Sequence, residues 1–185
     1  IKGVLAGAKE RGYAVGGFQA YITSDVLIGA GLSSSAAFET VIGTIVSYLY
    51  NDGAIDAVTI AIIGQYAENV YFGKPCGLMD QTACSVGNLV HIDFADVKNP
   101  KVEKVDFDLN AYGYSLCITD TKGSHADLTA DYAAIPTEMK AVALYFGKEV
   151  LLGLTIEDIL SHAQELREKL GDRAVLRALH FLCED

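Results

Sequence analysis

Tryptophan is absent from this 185-residue chain, and cysteine (4), proline (3) and methionine (2) are scarce. The four thiols, Cys76, Cys84, Cys117 and Cys183, make no C-x-x-C pair. That excludes a disulfide framework and a zinc ribbon, and leaves buried free thiols as the expectation. Basic residues are also few: 14 Lys and Arg stand against 24 Asp and Glu, a net charge of −10 and a pI near 4.7. Without a Lys/Arg run the chain is not expected to bind nucleic acid or an anionic membrane. A nucleotide is not excluded, because backbone N–H groups and Mg²⁺ can manage phosphate charge on an acidic protein. Long apolar runs are missing too. The stretch Ala57–Gly64 is broken by Thr59 and is too short to cross a bilayer, and no signal-peptide pattern is present, so a cytoplasmic setting is expected. The chain opens at Ile1 inside one helical pattern and stops at Asp185 inside another, as an internal piece of a longer protein would.

What is present suffices for a core, since 51% of residues are apolar and 21% charged. Phe18–Thr23 alternates β-formers and predicts a strand. After a loop with Gly29 and Gly31, Ser33 suits an N-cap, and Phe38, Ile42, Ile45 and Leu49 recur at helical spacing to Tyr50. A second helix is expected over Ala54–Phe72, closed by Gly73 and Pro75, with a small-residue face at Ala57, Ala61 and Gly64. Leu78–Val86 predicts a short helix, and Leu89–Phe94, Val102–Phe107 and Tyr114–Thr119 predict strands. Pro136 suits a helix start leading to Phe146. Thr155-Ile-Glu-Asp158 has the form of a capping box for a helix with Ile159, Leu160, Ala163 and Leu166 on its buried stripe, ended by Gly171. This mixture of helices and hairpin-like strands is α+β.

The segment Gly29-Ala-Gly-Leu-Ser-Ser-Ser35 lies between a predicted strand and a helix. Glycines there would let N–H groups approach a polyphosphate, and the helix start adds free donors and its dipole. Taken alone, the stretch reads first as a glycine turn closed by a serine cap, since caps are common and phosphate sites are few. It is neither a Walker A loop, since no Lys occurs from Ile22 through Gly73, nor a dinucleotide fingerprint, whose third Gly is replaced by Ser34. Asp80 lies among small and apolar residues in Cys76-Gly-Leu-Met-Asp-Gln-Thr-Ala-Cys84, where a buried carboxylate would need a partner or a task. His91, His125, His162 and His180 are scattered and define no metal site.

Ser24-Asp-Val-Leu-Ile-Gly-Ala-Gly-Leu-Ser-Ser-Ser-Ala-Ala37 resembles the second signature of the GHMP kinases, the galactokinase, homoserine, mevalonate and phosphomevalonate kinase superfamily. The Ser-Ser-Ser-Ala-Ala run and Pro75-Cys-Gly-Leu-Met-Asp-Gln81 are closest to its galactokinase branch. The resemblance implies a Mg²⁺- and ATP-dependent transfer of the γ-phosphate to the C1 hydroxyl of galactose or a related hexose. It places Gly29, Ala30, Gly31, Leu32, Ser33, Ser34 and Ser35 on the ATP phosphates, with Ser35 and Glu68 as Mg²⁺ ligands. Asp80 would be the catalytic base or orienting anion, with Gly77, Asp80 and Tyr132 on the sugar. It further implies a ribosomal protein S5 domain 2-like N-terminal domain with a left-handed βαβ unit, its later part at 1–112. The beginning of a ferredoxin-like C-terminal domain would lie at 113–185. Two departures stand out: Leu27 where the family carries Pro, and Ala133-Ala-Ile-Pro136 where basic residues follow the Tyr. The second keeps a non-catalytic sugar/ATP sensor as the alternative function.

Overall fold

The computed structural model describes residues 1–26, 31–96, 99–119 and 129–184. The chain divides into two compact units, Ile1–His125 and Ala126–Asp185.

In the first unit, α1 (Lys2–Glu10), α2 (Ser34–Tyr50) and α3 (Ala57–Tyr66) pack together, and α3 runs on into a π-helical turn, Ala67–Phe72. Asp56 caps α3 by accepting from the Thr59 N–H at 2.9 Å, so the helix begins beyond Ala54. Gly73, left-handed at φ 68°, ends the π-helical turn, as the Gly-Pro spacing predicts. The core is Val4, Ala8, Ile42, Val46, Ile55, Ile60, Ile63 and Ala67. Its helices approach closely because small residues on one helix leave room for the side chains of the next. On α2 the buried face is Ala36, Thr40, Gly43 and Ser47 beside Ile42 and Val46, while Phe38 and Leu49 are exposed. A Cβ on Gly43 would lie 2.7 Å from Ile60 Cγ2. Gly43→Leu should therefore force α2 from α3 and cost about 1–3 kcal/mol, read as a lower midpoint in urea unfolding of the complete protein. An unchanged midpoint would contradict this packing.

Helix α4 (Met79–Val86) packs against α2 and α3 and leads into β1 (Leu89–Asp93), which pairs antiparallel with β2 (Lys101–Val105), Leu89 opposite Val105. Among the described residues this is the whole sheet. The strands expected at Phe18–Thr23 and Tyr114–Thr119 are not formed. β-formers supply the extended preference, but a strand also needs a neighbour for its N–H and C=O groups, and neither segment has one among the described residues.

The described residues of the second unit form α5 (Thr129–Tyr145), α6 (Ile156–Ser161), α7 (Ala163–Leu170) and α8 (Asp172–Glu184) around Val142, Leu151, Ile159, Leu166, Val175 and Ala178. The capping box forms as expected, Thr155 and Asp158 each bonding the other's backbone N–H. The expected single helix is broken at His162, and Leu160 is exposed while Ile159 and Leu166 are fully buried. Pro136 lies inside α5, not at its start. Ala130, Ala133 and Ala134 favour helix strongly enough to extend it N-terminally past the proline. The ring then cannot donate to the carbonyl of Tyr132, four residues earlier. Across both units no helix is long and apolar enough to cross a membrane among the described residues. The four thiols are free, as expected, but they are not buried: Cys84, Cys117 and Cys183 are exposed, and Cys76 is half-buried.

Candidate active site

Three segments of the first unit meet around the head of α2. Gly31 (φ 74°) and Ser33 (φ 51°, ψ 43°) are both left-handed, an uncommon conformation for serine, and they turn the chain into the first turn at Ser34 and Ser35. Ser33 occupies the N-cap position, but its side chain makes no cap. It donates instead to Asp80 Oδ2 at 2.7 Å. Among the described residues no side chain caps the first amides of α2, and the positive end of the helix dipole suits an anion. Gly29 and Ala30 lie outside the described residues; Leu32 is half-buried beside Gly31.

Asp80 stands in the first turn of α4 and is exposed, contrary to the buried carboxylate that its neighbours suggest. Helical spacing explains this. Leu78, Gln81 and Thr82 take the inward positions, so Met79 and Asp80 face out. The turn before α4 is held from the other side. Asn69 Oδ1 accepts from the Cys76 N–H at 2.8 Å, and Gln65 Nε2 and Asn69 Nδ2 donate to the Cys76 carbonyl at 3.3 and 3.4 Å. Gly77, next in this turn, is exposed with open space where a Cβ would be.

The buried acid is Glu68, 4% exposed, on the π-helical turn that ends α3. Such turns displace one residue from the regular helical face and often occur at functional sites. Its carbonyl accepts from Lys74 N at 3.1 Å, tying the turn to the following loop. Lys74 Nζ approaches Glu68 Oε2 to 3.3 Å, outside hydrogen-bond geometry, so that oxygen lacks a donor. Facing Glu68 is Glu39 of α2, one turn beyond Ser35 and 9% exposed. Burial, then the charge of Glu68, push the Glu39 carboxyl up to about 7. Burial, reinforced by the Glu68 charge, also raises the Cys76 thiol. Glu39, Gln65 and Asn69 escape a reading by motif. The one available signal for Glu39 is its place on the small-residue face of α2, four residues after Ser35.

Among the described residues no group of three or more His, Cys, Asp or Glu side chains forms a metal cage. A buried carboxylate oxygen without a donor and a serine at a helix head do fit Mg²⁺, which takes few protein oxygens and completes its shell with water and phosphate. Tyr132 lies on α5 in the second unit, 53% exposed.

Residues 1–88 match the family model for the GHMP kinases N terminal domain. The chain belongs to the GHMP kinase superfamily. Within that superfamily, galactokinases are among the curated proteins that it is similar to. The galactokinase of Streptomyces coelicolor is 34% identical over 185 residues, 99% of this chain and 46% of that protein. That of Clostridium tetani is 31% identical over all of this chain and 47% of its own length. That of Pyrococcus furiosus reaches 40% over 107 residues, 58% of this chain and 30% of that protein. The chain spans about half the length of the first two relatives.

Proposed function

We propose that the complete protein is a sugar-1-kinase that transfers the γ-phosphate of ATP to the C1 hydroxyl of galactose or a related hexose. The observation that carries the reading is the 2.7 Å contact between Ser33 and Asp80, which joins the phosphate-binding helix head to the acceptor-side carboxylate. Phosphoryl transfer gains most from positioning and charge neutralisation, and these residues supply both. The amides at Gly31–Ser35, continuing from Gly29 and Ala30, cradle the phosphates. Asp80, exposed and hydrogen-bonded, orients the sugar hydroxyl and takes up its proton. Ser35 and Glu68 hold Mg²⁺, which neutralises charge on the phosphoryl oxygens when bound. Gly77 presents backbone to the sugar, and Tyr132 its hydroxyl.

The domain reading belongs to the same proposal: 1–112 as the later part of an S5 domain 2-like N-terminal domain, and 113–185 as the beginning of a ferredoxin-like one. So does a cytoplasmic enzyme with small-molecule partners only. A coupled assay for ADP release, run on the complete protein with Mg²⁺, ATP and galactose, tests the function. Sugar-dependent ADP release is expected. Binding of both ligands with negligible ADP would instead identify a sensor, the outcome to which Ala133-Ala-Ile-Pro136 points.

A further inference from the structure

Three polar side chains from three elements converge between α2, α3 and α4, and two of them, Glu39 and Gln81, have no task in the reading above. Glu39 comes from α2, Glu68 from the π-helical turn and Gln81 from α4, at 9%, 4% and 3% exposure. Each keeps one oxygen without a hydrogen bond: Glu39 Oε2, Glu68 Oε2 and Gln81 Oε1. The Glu39 carboxyl touches both of the others. Gly64 makes the room for them. A Cβ there would lie 3.2 Å from Gln81 Cγ, 3.3 Å from Glu39 Cβ and 3.4 Å from Glu39 Oε2.

Buried polar atoms short of a partner are uncommon and call for a cause such as a bound ion, a water or a functional role. Here the cluster joins the helix that begins with the phosphate-binding serines, the turn that bears Glu68 and the helix that bears Asp80. Gln81 is further fixed by Nε2 donating to Cys76 Sγ at 3.6 Å, in the turn next to Gly77. We infer that Glu39 is a positioning residue, which fixes the plane of the Glu68 carboxylate against α2 so that Glu68 and Ser35 present their oxygens to one cation. This rests on the proposed role of Glu68 as a Mg²⁺ ligand. Side chains that orient ligands in this way typically govern metal affinity by about 10–100-fold.

The test uses the complete protein, with Mn²⁺ as an electron-paramagnetic probe and a non-hydrolysable ATP analogue at saturation. Glu39→Met, similar in volume but unable to hydrogen-bond, is expected to weaken Mn²⁺ binding by about 10–100-fold. Glu39→Gln, which keeps length, planarity and hydrogen-bonding ends, is expected to restore it to within about threefold, a rescue that loss of packing alone would not give. Should Glu39→Met fail to fold, Gln81→Met in the same cluster is expected to weaken Mn²⁺ similarly. Parental affinity in Glu39→Met, or in Gln81→Met where that variant stands in for it, overturns the inference. So does equal loss in Glu39→Gln and Glu39→Met, since the carboxylate would then itself be the ligand. Glu68→Ala is the control. If it leaves Mn²⁺ binding unchanged, the metal role of Glu68 falls and this inference with it; if it weakens binding while Glu39→Met does not, only the inference falls.

Discussion

Asp80→Ala in the complete protein is expected to lower kcat by about 10²–10⁴-fold while ATP binding survives. The carboxylate is exposed at the first turn of α4, so its removal opens no cavity. The cost to folding is limited to its interaction with the helix N-terminus and with Ser33, about 1 kcal/mol. An activity loss of several orders of magnitude would then belong to chemistry, not to unfolding. Asp80→Asn sharpens the argument. It keeps an oxygen that accepts from the Ser33 hydroxyl, so the junction between α2 and α4 stays closed, but it cannot take up a proton from a sugar hydroxyl. It should be as inactive as the alanine variant. Steady-state kinetics for turnover and titration calorimetry for ATP separate the two quantities. Undiminished turnover in either variant would remove Asp80 from the mechanism.

The elements that carry the site were legible where local chemistry alone decides them. Gly31 and the serines mark the head of α2, Gly73 and Pro75 mark the end of the π-helical turn, and the box at Thr155 and Asp158 marks α6. Each is a backbone requirement met by a particular residue type. Where partners decide, the sequence is ambiguous. Phe18–Thr23 and Tyr114–Thr119 have the alternation of strands, yet alternation does not say which neighbour completes the ladder. Burial depends on partners in the same way. Phe38 and Leu49 draw attention as the apolar residues of α2, while the helix packs through Ala36, Thr40, Gly43 and Ser47, whose small size admits α3. Glu39 is on that inner face and its charge disguises it. Asp80 has apolar neighbours in sequence, but Leu78, Gln81 and Thr82 have taken the inward side of its helix.

Glu68→Gln should move activity and stability in opposite directions. Under the proposed metal role of Glu68, it is expected to lower turnover of the complete protein by at least about 10-fold. With EDTA present, so that no divalent cation contributes, it is expected to raise stability near pH 8 by about 1 kcal/mol. The gain comes from replacing one of two facing buried carboxyls by an amide that can donate to Glu39. Against it stands the Lys74 ion pair at 3.3 Å, half-exposed on the lysine side and worth at most about 1 kcal/mol. The pH dependence follows from Glu39, whose carboxyl rises from 4.5 to about 7, first by burial and then by the Glu68 charge. A carboxyl with a raised folded value binds its proton more tightly in the folded protein. Its contribution is therefore fullest below pH 4.5 and is lost as pH climbs toward 7. Removing the Glu68 charge removes the second cause, so the variant should lose less stability than the parent across that interval. Thermal unfolding in EDTA from pH 4.5 to 8 reads both curves. A variant that melts below the parent at pH 8, or follows the same slope, would show that the two acids do not oppose each other across α2 and the π-helical turn.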